Sequence, residues 1–124
     1  MNAADILWVG LAGSTGAAAR FIADGSVRSR FDLRLPAGTM AINLVGSLLL
    51  GVLTGLVLYH HASSTLVLVA GTGFCGGFTT FSTATFETVR LIQQGNHRMA
   101  AINCGMTVIG AIAAAALGLA LAYL

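Results

Sequence analysis

The stretch that decides the fold is residues 71–87, Gly-Thr-Gly-Phe-Cys-Gly-Gly-Phe-Thr-Thr-Phe-Ser-Thr-Ala-Thr-Phe-Glu. It ends a run, from Leu35 to Phe86, that contains no Asp, Glu, Lys or Arg. Four glycines, and five hydroxyl side chains after the glycine pair, therefore lie in a segment that is otherwise typical of lipid-embedded chain. Since a bilayer offers no water to loosened backbone, a broken helix is stable there only inside protein or beside a cavity. Membrane proteins build ion sites at such breaks.

The composition indicates an integral membrane protein. Hydrophobic residues make up 56% of the 124 residues and charged residues only 8%. An ordinary soluble domain has about 25% charged residues, which it needs to cover its surface. No basic residue precedes the apolar run that begins at Ile6, so a cleavable signal peptide is not expected.

Four membrane spans of about 20 or more residues are predicted, within a single membrane domain of residues 1–124. They cover about residues 5–23, 36–59, 65–93 and 99–124. The predicted fold class is all-α, with the third transmembrane helix broken at the Gly-Gly/Thr cluster. Small residues recur at helix-packing spacing, which allows the helices to approach closely. Because four spans can hardly enclose a pore, an oligomer is expected.

The basic residues are concentrated at one end of this predicted bundle. They are Arg20, Arg28, Arg30, Arg34, Arg90 and Arg98. The two termini and the link after the second span carry no lysine or arginine. Since positive residues favour the cytoplasmic side, the first and third links are predicted to be inside and both termini outside.

Several polar side chains fall within the predicted spans, where they need partners. They are Arg20, Asn43, Thr79, Thr80, Ser82, Thr83, Thr85, Asn103 and Thr107. Asn43 is either an interhelical hydrogen-bonding residue or a donor that faces a pore. Arg20 either snorkels to the membrane surface or supplies positive potential to an anion path. Asn103 and Thr107 are four residues apart and therefore share a helix face.

No enzyme is expected from this sequence. It has no evident nucleophile–base pair and no His/Cys spacing typical of a metal site. Cys75 and Cys104 are interpreted as small apolar residues rather than as a disulfide or metal pair. Glu87 and Arg90, three residues apart, are expected to pair near the membrane interface. The net charge of +2 gives no indication of nucleic-acid binding.

Three motifs carry a resemblance to a known family. They are G-T-G-F-C-G-G-F-T-T-F-S-T at residues 71–83, G-x-x-G-x-x-x-R ending at Arg20, and G-T-x-x-x-N-x-x-G around Asn43. With the length and the four-span plan, these motifs make the chain similar to the CrcB/Fluc family of fluoride channels over essentially its whole length.

The resemblance implies a channel in the cell membrane that passively releases fluoride and so lowers its toxicity. It implies an antiparallel bundle of two subunits with two fluoride pathways. It also implies a structural, non-transported Na⁺ held by the backbone carbonyls of Gly76 and Thr79. A helix that stops leaves carbonyls unpaired and a negative dipole end, which suits such a cation. The pathway residues that it implies are Asn43, Thr80, Phe81, Ser82 and Thr83, with Asn103 and Thr107 on the fourth span and Arg20 in an electrostatic role.

The chain departs from the family pattern at one pore position. Ala84 stands where a second phenylalanine is usual, and Phe86 is about 200° further around the helix, so it cannot replace that ring. The uneven arginine distribution is also unexpected for a subunit that inserts in both orientations. We therefore hypothesise that the chain pairs with an oppositely oriented paralogue, with a homodimer as the alternative.

Two other functions compete with the channel. A small four-helix transporter of the multidrug type needs a membrane-embedded carboxylate in its first span, where this chain has only Asp5 at the edge. A non-conducting assembly subunit would have no use for the glycine break and the hydroxyl cluster.

Overall fold

The structure is a computed structural model that describes residues 1–32 and 35–124. Four helical segments are long and apolar enough to cross a membrane, namely Ala3–Arg30, Ala37–His60, Ser64–Gln93 and His97–Tyr123. Within the two described ranges the chain forms no β-strand. The prediction of an all-α protein with four membrane-spanning helices is therefore confirmed. Arg34, which was counted in the basic end of the bundle, lies outside the described residues.

Helix α1 (Ala3–Arg30) begins with a capping box and extends well beyond the apolar span predicted to end near residue 23. At its start, the Asn2 side chain accepts from the Asp5 N–H, and the Asp5 carboxylate accepts from the Asn2 N–H, both at 2.9 Å. Near its end, Arg28 Nε donates to Asp24 Oδ2 at 2.8 Å across one helical turn. Such a pair, with arginines near a helix C-terminus, stabilises the last turns. Much of the predicted first link is therefore helical.

Helix α2 (Ala37–His60) follows Pro36 and ends at His61, whose left-handed conformation has φ 55°. It packs closely against α5 (His97–Tyr123) because glycines face the neighbouring backbone. A Cβ atom at Gly51 would overlap the Ala115 carbonyl oxygen, and one at Gly118 would overlap the Leu48 carbonyl oxygen. Contact between backbones is the usual role of small residues where lipid is as apolar as the helix surface.

The third span consists of two helices, α3 (residues 64–78) and α4 (Phe81–Gln93). The central part of α3, Val67–Cys75, is wound as a π-helix, and its last turn is Gly76–Phe78. Thr79 and Thr80 lie between the two helices in extended conformation, with ψ angles of 162° and 124°. The chain therefore leaves the helix at the threonines and not at the preceding glycines.

The glycines before the break are helical, and two of them, Gly73 and Gly77, bring α3 against α1. Gly76 has φ −62° and ψ −39°, which any residue adopts. A Cβ atom at Gly77 would overlap the Gly13 carbonyl oxygen, and one at Gly16 would overlap the Phe74 carbonyl oxygen. The G-x-x-G pair of α1 and the glycines of α3 thus form one close helix contact.

Helix α5 contains a π-helical segment, Met106–Gly110, between two α-helical parts, His97–Gly105 and Ala111–Tyr123. It contacts α2 along its second half and α4 along its first half. At one end of the bundle, the His60 ring bonds the Ala122 carbonyl oxygen at 2.7 Å through Nε2. The outer surfaces carry many exposed apolar side chains, as expected of helices that face lipid.

Candidate functional site

Asn43 holds the break between α3 and α4 in place. Its Nδ2 donates to the Thr80 carbonyl oxygen at 2.9 Å, and its Oδ1 accepts from the Thr80 N–H at 2.8 Å. The amide therefore satisfies both main-chain groups of an extended residue that has left its helix. Asn43 is buried. It forms the interhelical hydrogen bonds that were one of the two alternatives for this residue, and one N–H of its amide remains for another acceptor.

The same contact frees a carbonyl oxygen one turn earlier. In a continuous helix the Thr80 N–H would donate to the carbonyl of Gly76, four residues before it. Here that N–H is directed to Asn43 instead. Gly76 also has open space around it, because a Cβ atom there would meet nothing within 4 Å. Its carbonyl is thus released on an open face of α3.

The Thr79 carbonyl accepts a hydrogen bond from α1. Arg20 Nη1 donates to it at 3.1 Å. Arg20 therefore does not extend to the membrane surface, one of its two predicted roles, but turns inward to the break. The Thr79 N–H and the Thr79 hydroxyl both donate to the Cys75 carbonyl oxygen, at 2.9 and 2.8 Å.

Three hydroxyl side chains are connected at the N-terminus of α4. Thr80 Oγ1 accepts from the Thr83 N–H at 3.2 Å, which caps the helix. The same hydroxyl bonds Thr83 Oγ1 at 3.1 Å and lies 3.4 Å from Ser82 Oγ. The Phe81 ring stands beside them and is 72% exposed. A helix N-terminus carries partial positive charge, so hydroxyls and helix together favour an anion here.

A cavity of about 260 Å³ gathers most of the predicted site residues. Its lining includes Asn43, Gly76, Thr79, Thr80, Phe81 and Thr107. Since one water molecule occupies about 30 Å³ of liquid, the cavity has room for several waters or a partly hydrated ion. The Thr107 hydroxyl is buried and has no hydrogen-bond partner among the described residues. It is therefore a free donor on the wall opposite the break.

A second cavity, of about 300 Å³, lies on the other side of Thr80, between α1, α2 and α4. Arg20 and Asp24 of α1 line it, together with Thr39, Thr80 and Thr83. Thr80 thus borders both cavities. The two cavities therefore meet at the residue that Asn43 binds.

Asn103 does not reach the cavity that Thr107 lines, although the two residues share a helix face. It is fully buried, and its Nδ2 donates to the Ala84 carbonyl at 3.1 Å and to Thr88 Oγ1 at 2.8 Å. Both N–H groups are used, so Asn103 has no donor left for an anion. Its contacts fasten α5 to α4.

Ala84, which stands where a second phenylalanine is usual, is buried between α4 and α5. Ala84 is 1% exposed, and its carbonyl is the one that Asn103 binds. Phe86 is 64% exposed and projects elsewhere from α4. As the helical rotation predicts, it does not take the place of the missing ring.

An ion-pair cluster near one end of the bundle was not predicted. Glu87 Oε1 accepts from Arg28 Nη2 at 3.1 Å and from Thr39 Oγ1 at 3.0 Å, and Arg28 also binds Asp24. The expected pair of Glu87 with Arg90 is therefore wrong. Glu87 turns toward α1 and α2, where it is mostly buried. No local spacing could have indicated a contact between residues 59 positions apart in the sequence.

Among the described residues, no group of three or more His, Cys, Asp or Glu side chains could hold a metal ion. A cation at the break would have to bind main-chain oxygens. The carbonyls of Gly76 and Thr79 meet this requirement, because the first is released from helical bonding and the second has one lone pair left beside its bond to Arg20.

Comparison with known proteins gives a consistent result over most of the chain. The family model described as "CrcB-like protein, Camphor Resistance (CrcB)" matches residues 7–119. "Fluoride-specific ion channel FluC 2" of Cutibacterium acnes is 50% identical over 117 residues, which cover 94% of this chain and 95% of that protein. "Fluoride-specific ion channel FluC 1" of Leifsonia xyli subsp. xyli is 46% identical over 114 residues, covering 92% and 83%. "Fluoride-specific ion channel FluC 2" of Mycolicibacterium paratuberculosis is 43% identical over 120 residues, covering 95% of each chain.

Proposed function

Because the chain belongs to the CrcB family, we propose that it is a fluoride-specific ion channel, through which fluoride leaves the cell passively and its toxicity in the cytoplasm falls. Relatives that share up to 50% of its residues carry that name. The observation that carries the proposal is the break at Thr79 and Thr80, which Asn43 holds open beside a cavity that polar groups of the break line. The protein is a multi-pass membrane protein and not an enzyme.

The pathway for fluoride follows the donors around the break. Fluoride is small and strongly hydrated, so a protein must replace its water with closely spaced donors. The free N–H of Asn43, the hydroxyls of Ser82 and Thr83, the ring edge of Phe81 and the hydroxyl of Thr107 are those donors. The Thr80 hydroxyl donates to Thr83 Oγ1 and so orients it. A ring edge attracts anions because it carries partial positive charge. Asn103 contributes indirectly, by fastening α4 to α5.

A structural Na⁺ would be held by the carbonyl oxygens of Gly76 and Thr79. When bound, it would supply fixed positive charge beside the anion pathway without being transported. The support is the donor set, two hard carbonyl oxygens at one break and no side-chain metal cluster in residues 1–32 and 35–124. Arg20 adds positive charge at the same place.

A second subunit completes the channel in this proposal. Phe81 and Ser82 are exposed, and the Gly76 side of α3 is open. One subunit offers only two carbonyls at the break, whereas two subunits in antiparallel orientation would offer four. The partner is either a second copy or an oppositely oriented paralogue. The concentration of arginine at one end supports the paralogue, since it favours a single orientation.

The same concentration of arginine supports a location in the inner or plasma membrane with both termini outside. Arg28 and Arg90 line one pocket at the ends of α1 and α4, which places them at the same end of the bundle. The positive-inside rule assigns that end to the cytoplasm.

Fluoride efflux from liposomes tests the function. Purified protein is reconstituted with potassium fluoride inside, valinomycin is added, and a fluoride electrode records the release. We expect rapid release of fluoride from the complete channel, either the homodimer or the pair with a coexpressed paralogue. Vesicles loaded with potassium chloride should show no comparable release of chloride, recorded with a chloride electrode. A small multidrug transporter or a non-conducting assembly subunit would leave the fluoride inside. Retention of fluoride, both alone and with a coexpressed paralogue, would overturn the proposal.

A further inference from the structure

Arg20 is brought to the helix break by the close contact between α1 and α3. Gly13 and Gly16 touch the backbone of α3, and Arg20 lies one turn beyond Gly16 on the same face of α1. The guanidinium group therefore reaches the first carbonyl after the helical part of α3, that of Thr79. Because a Cβ atom at Gly16 would overlap the Phe74 carbonyl oxygen, the close approach of the two backbones brings Arg20 to the break.

The charge of Arg20 is not neutralised by a carboxylate in the described part of the chain. Its one hydrogen bond there is to the Thr79 carbonyl, at 3.1 Å. Asp24 lines the same cavity and is one turn away, but its ion pair is with Arg28, at 2.8 Å. An unpaired positive charge within a membrane helix is costly, which marks it as functional.

We infer that Arg20 competes with the structural sodium ion for the Thr79 carbonyl oxygen and thereby weakens sodium binding at each subunit's break. The inference rests on the proposed sodium site. A carbonyl oxygen has two lone pairs, so the guanidinium N–H and a cation can share it. Two positive charges on one oxygen nevertheless repel each other strongly where little water screens them.

A lone subunit is therefore a poor sodium site. It offers two carbonyl oxygens, and one of them already accepts from a cation. Sodium becomes well bound only when a second subunit adds further oxygens. Because a ligand that binds the assembled state stabilises it, sodium occupancy and assembly are coupled through Arg20.

Sodium-dependent thermal unfolding tests the inference. The full-length protein is purified as the assembled dimer, with its coexpressed paralogue if it does not assemble alone. It is titrated with sodium chloride in place of N-methyl-D-glucamine chloride at constant ionic strength. The R20Q variant keeps an N–H donor but removes the charge, and its sodium midpoint should fall about tenfold. R98Q removes a charge from the first turn of α5 and should shift the midpoint by less than about twofold, since exposed distant charges are screened.

A second variant tests the charge while Arg20 stays in place. Ala17 lines the same cavity as Arg20, three residues earlier on α1. In A17E the new carboxylate can pair with the guanidinium, so the sodium midpoint should again fall, by about threefold or more. If R20Q does not fold, the sodium midpoint of A17E tests whether the charge of Arg20 weakens sodium binding.

The possible outcomes separate this inference from the proposed function. Unchanged or higher sodium midpoints in both R20Q and A17E, with a sodium-responsive wild type, would overturn the role of Arg20 alone. A wild type that does not respond to sodium would overturn the sodium site and the inference with it. Fluoride conduction would still be judged by the efflux assay.

Discussion

Asn43 supplies Thr80 with both of the main-chain hydrogen bonds that the residue loses on leaving the helix. An unpaired N–H or carbonyl in the membrane interior costs several kcal/mol, so an extended residue there needs such a partner. The residue type at position 43 predicted a polar contact in the bilayer. Its partner was not predictable, because the bond joins residues 37 positions apart and depends on how α2 and α3 pack.

Replacing Asn43 with alanine should abolish fluoride efflux and lower stability. The change leaves a buried N–H and a buried carbonyl of Thr80 without partners, and about 1–3 kcal/mol is lost for each such group. Thermal unfolding in detergent and the liposome assay measure the two effects. Ser47, one turn further on α2, lines the same cavity, and S47A should leave both quantities close to wild type. An N43A protein with normal efflux would contradict the role assigned to the residue.

At the scale of helices, the glycines are the part of the fold that the sequence predicted best. Their spacing predicted close helix contacts, and Gly51 and Gly118 each face a neighbouring backbone. The exact place of the break was harder to predict. A glycine pair is the usual mark of interrupted helix, but here the extended residues are the two threonines that follow, because Asn43 binds the main chain at Thr80.

Substitution of Gly118 by alanine should destabilise the contact between α2 and α5. The added methyl group would overlap the Leu48 carbonyl oxygen, and overpacking of this kind typically costs about 1–3 kcal/mol. Gly105 is a matched control in the same helix, since a Cβ atom there meets nothing within 4 Å. Thermal unfolding should show a loss for G118A and none for G105A, and equal behaviour of the two variants would refute the close contact.

The Glu87 cluster joins three helices and gives a third prediction. In E87Q the carboxylate that accepts from Arg28 and Thr39 becomes neutral, and a mostly buried charge-assisted contact is weakened. A hydrogen bond to a charged group contributes about 1.5–3 kcal/mol, so unfolding should occur at lower temperature. R90Q serves as the control, because Arg90 makes no ion pair within the described residues. If E87Q were as stable as wild type and R90Q were destabilised, the contact of Glu87 with Arg28 and Thr39 would be contradicted in favour of the Glu87–Arg90 pair.

For the whole molecule, the open question is the partner. Composition and charge were sufficient to predict a membrane bundle and an oligomer, because a four-helix bundle of this size leaves its polar face uncovered. They do not distinguish a second copy from a paralogue. The exposed Phe81 lies on a surface that a partner would cover, and the one-sided arginines concern the orientation of each subunit.

Expression of the chain alone distinguishes the two partners. If the subunit inserts in one orientation, as its arginines predict, an antiparallel homodimer cannot form efficiently, and the purified protein should conduct little fluoride without its paralogue. Reporter fusions at both termini should place them outside in more than half of the molecules. A homodimer with normal fluoride flux, or termini mostly in the cytoplasm, would reject the heterodimer hypothesis.

The two hydrogen bonds between Asn43 and the main chain of Thr80 also affect how such a pore can change during evolution. Asn43 bonds only peptide atoms of residue 80, so its hold on the break does not use the Thr80 side chain, which instead caps α4. The contacts that hold the break are consequently made by main-chain atoms of residue 80, whereas the ion preference depends on the side chains that line the pathway. Mutations can therefore change the hydroxyl side chains of the lining one at a time and leave the break intact. Loss of the Asn43 amide, in contrast, removes both the support of the break and a donor of the pathway.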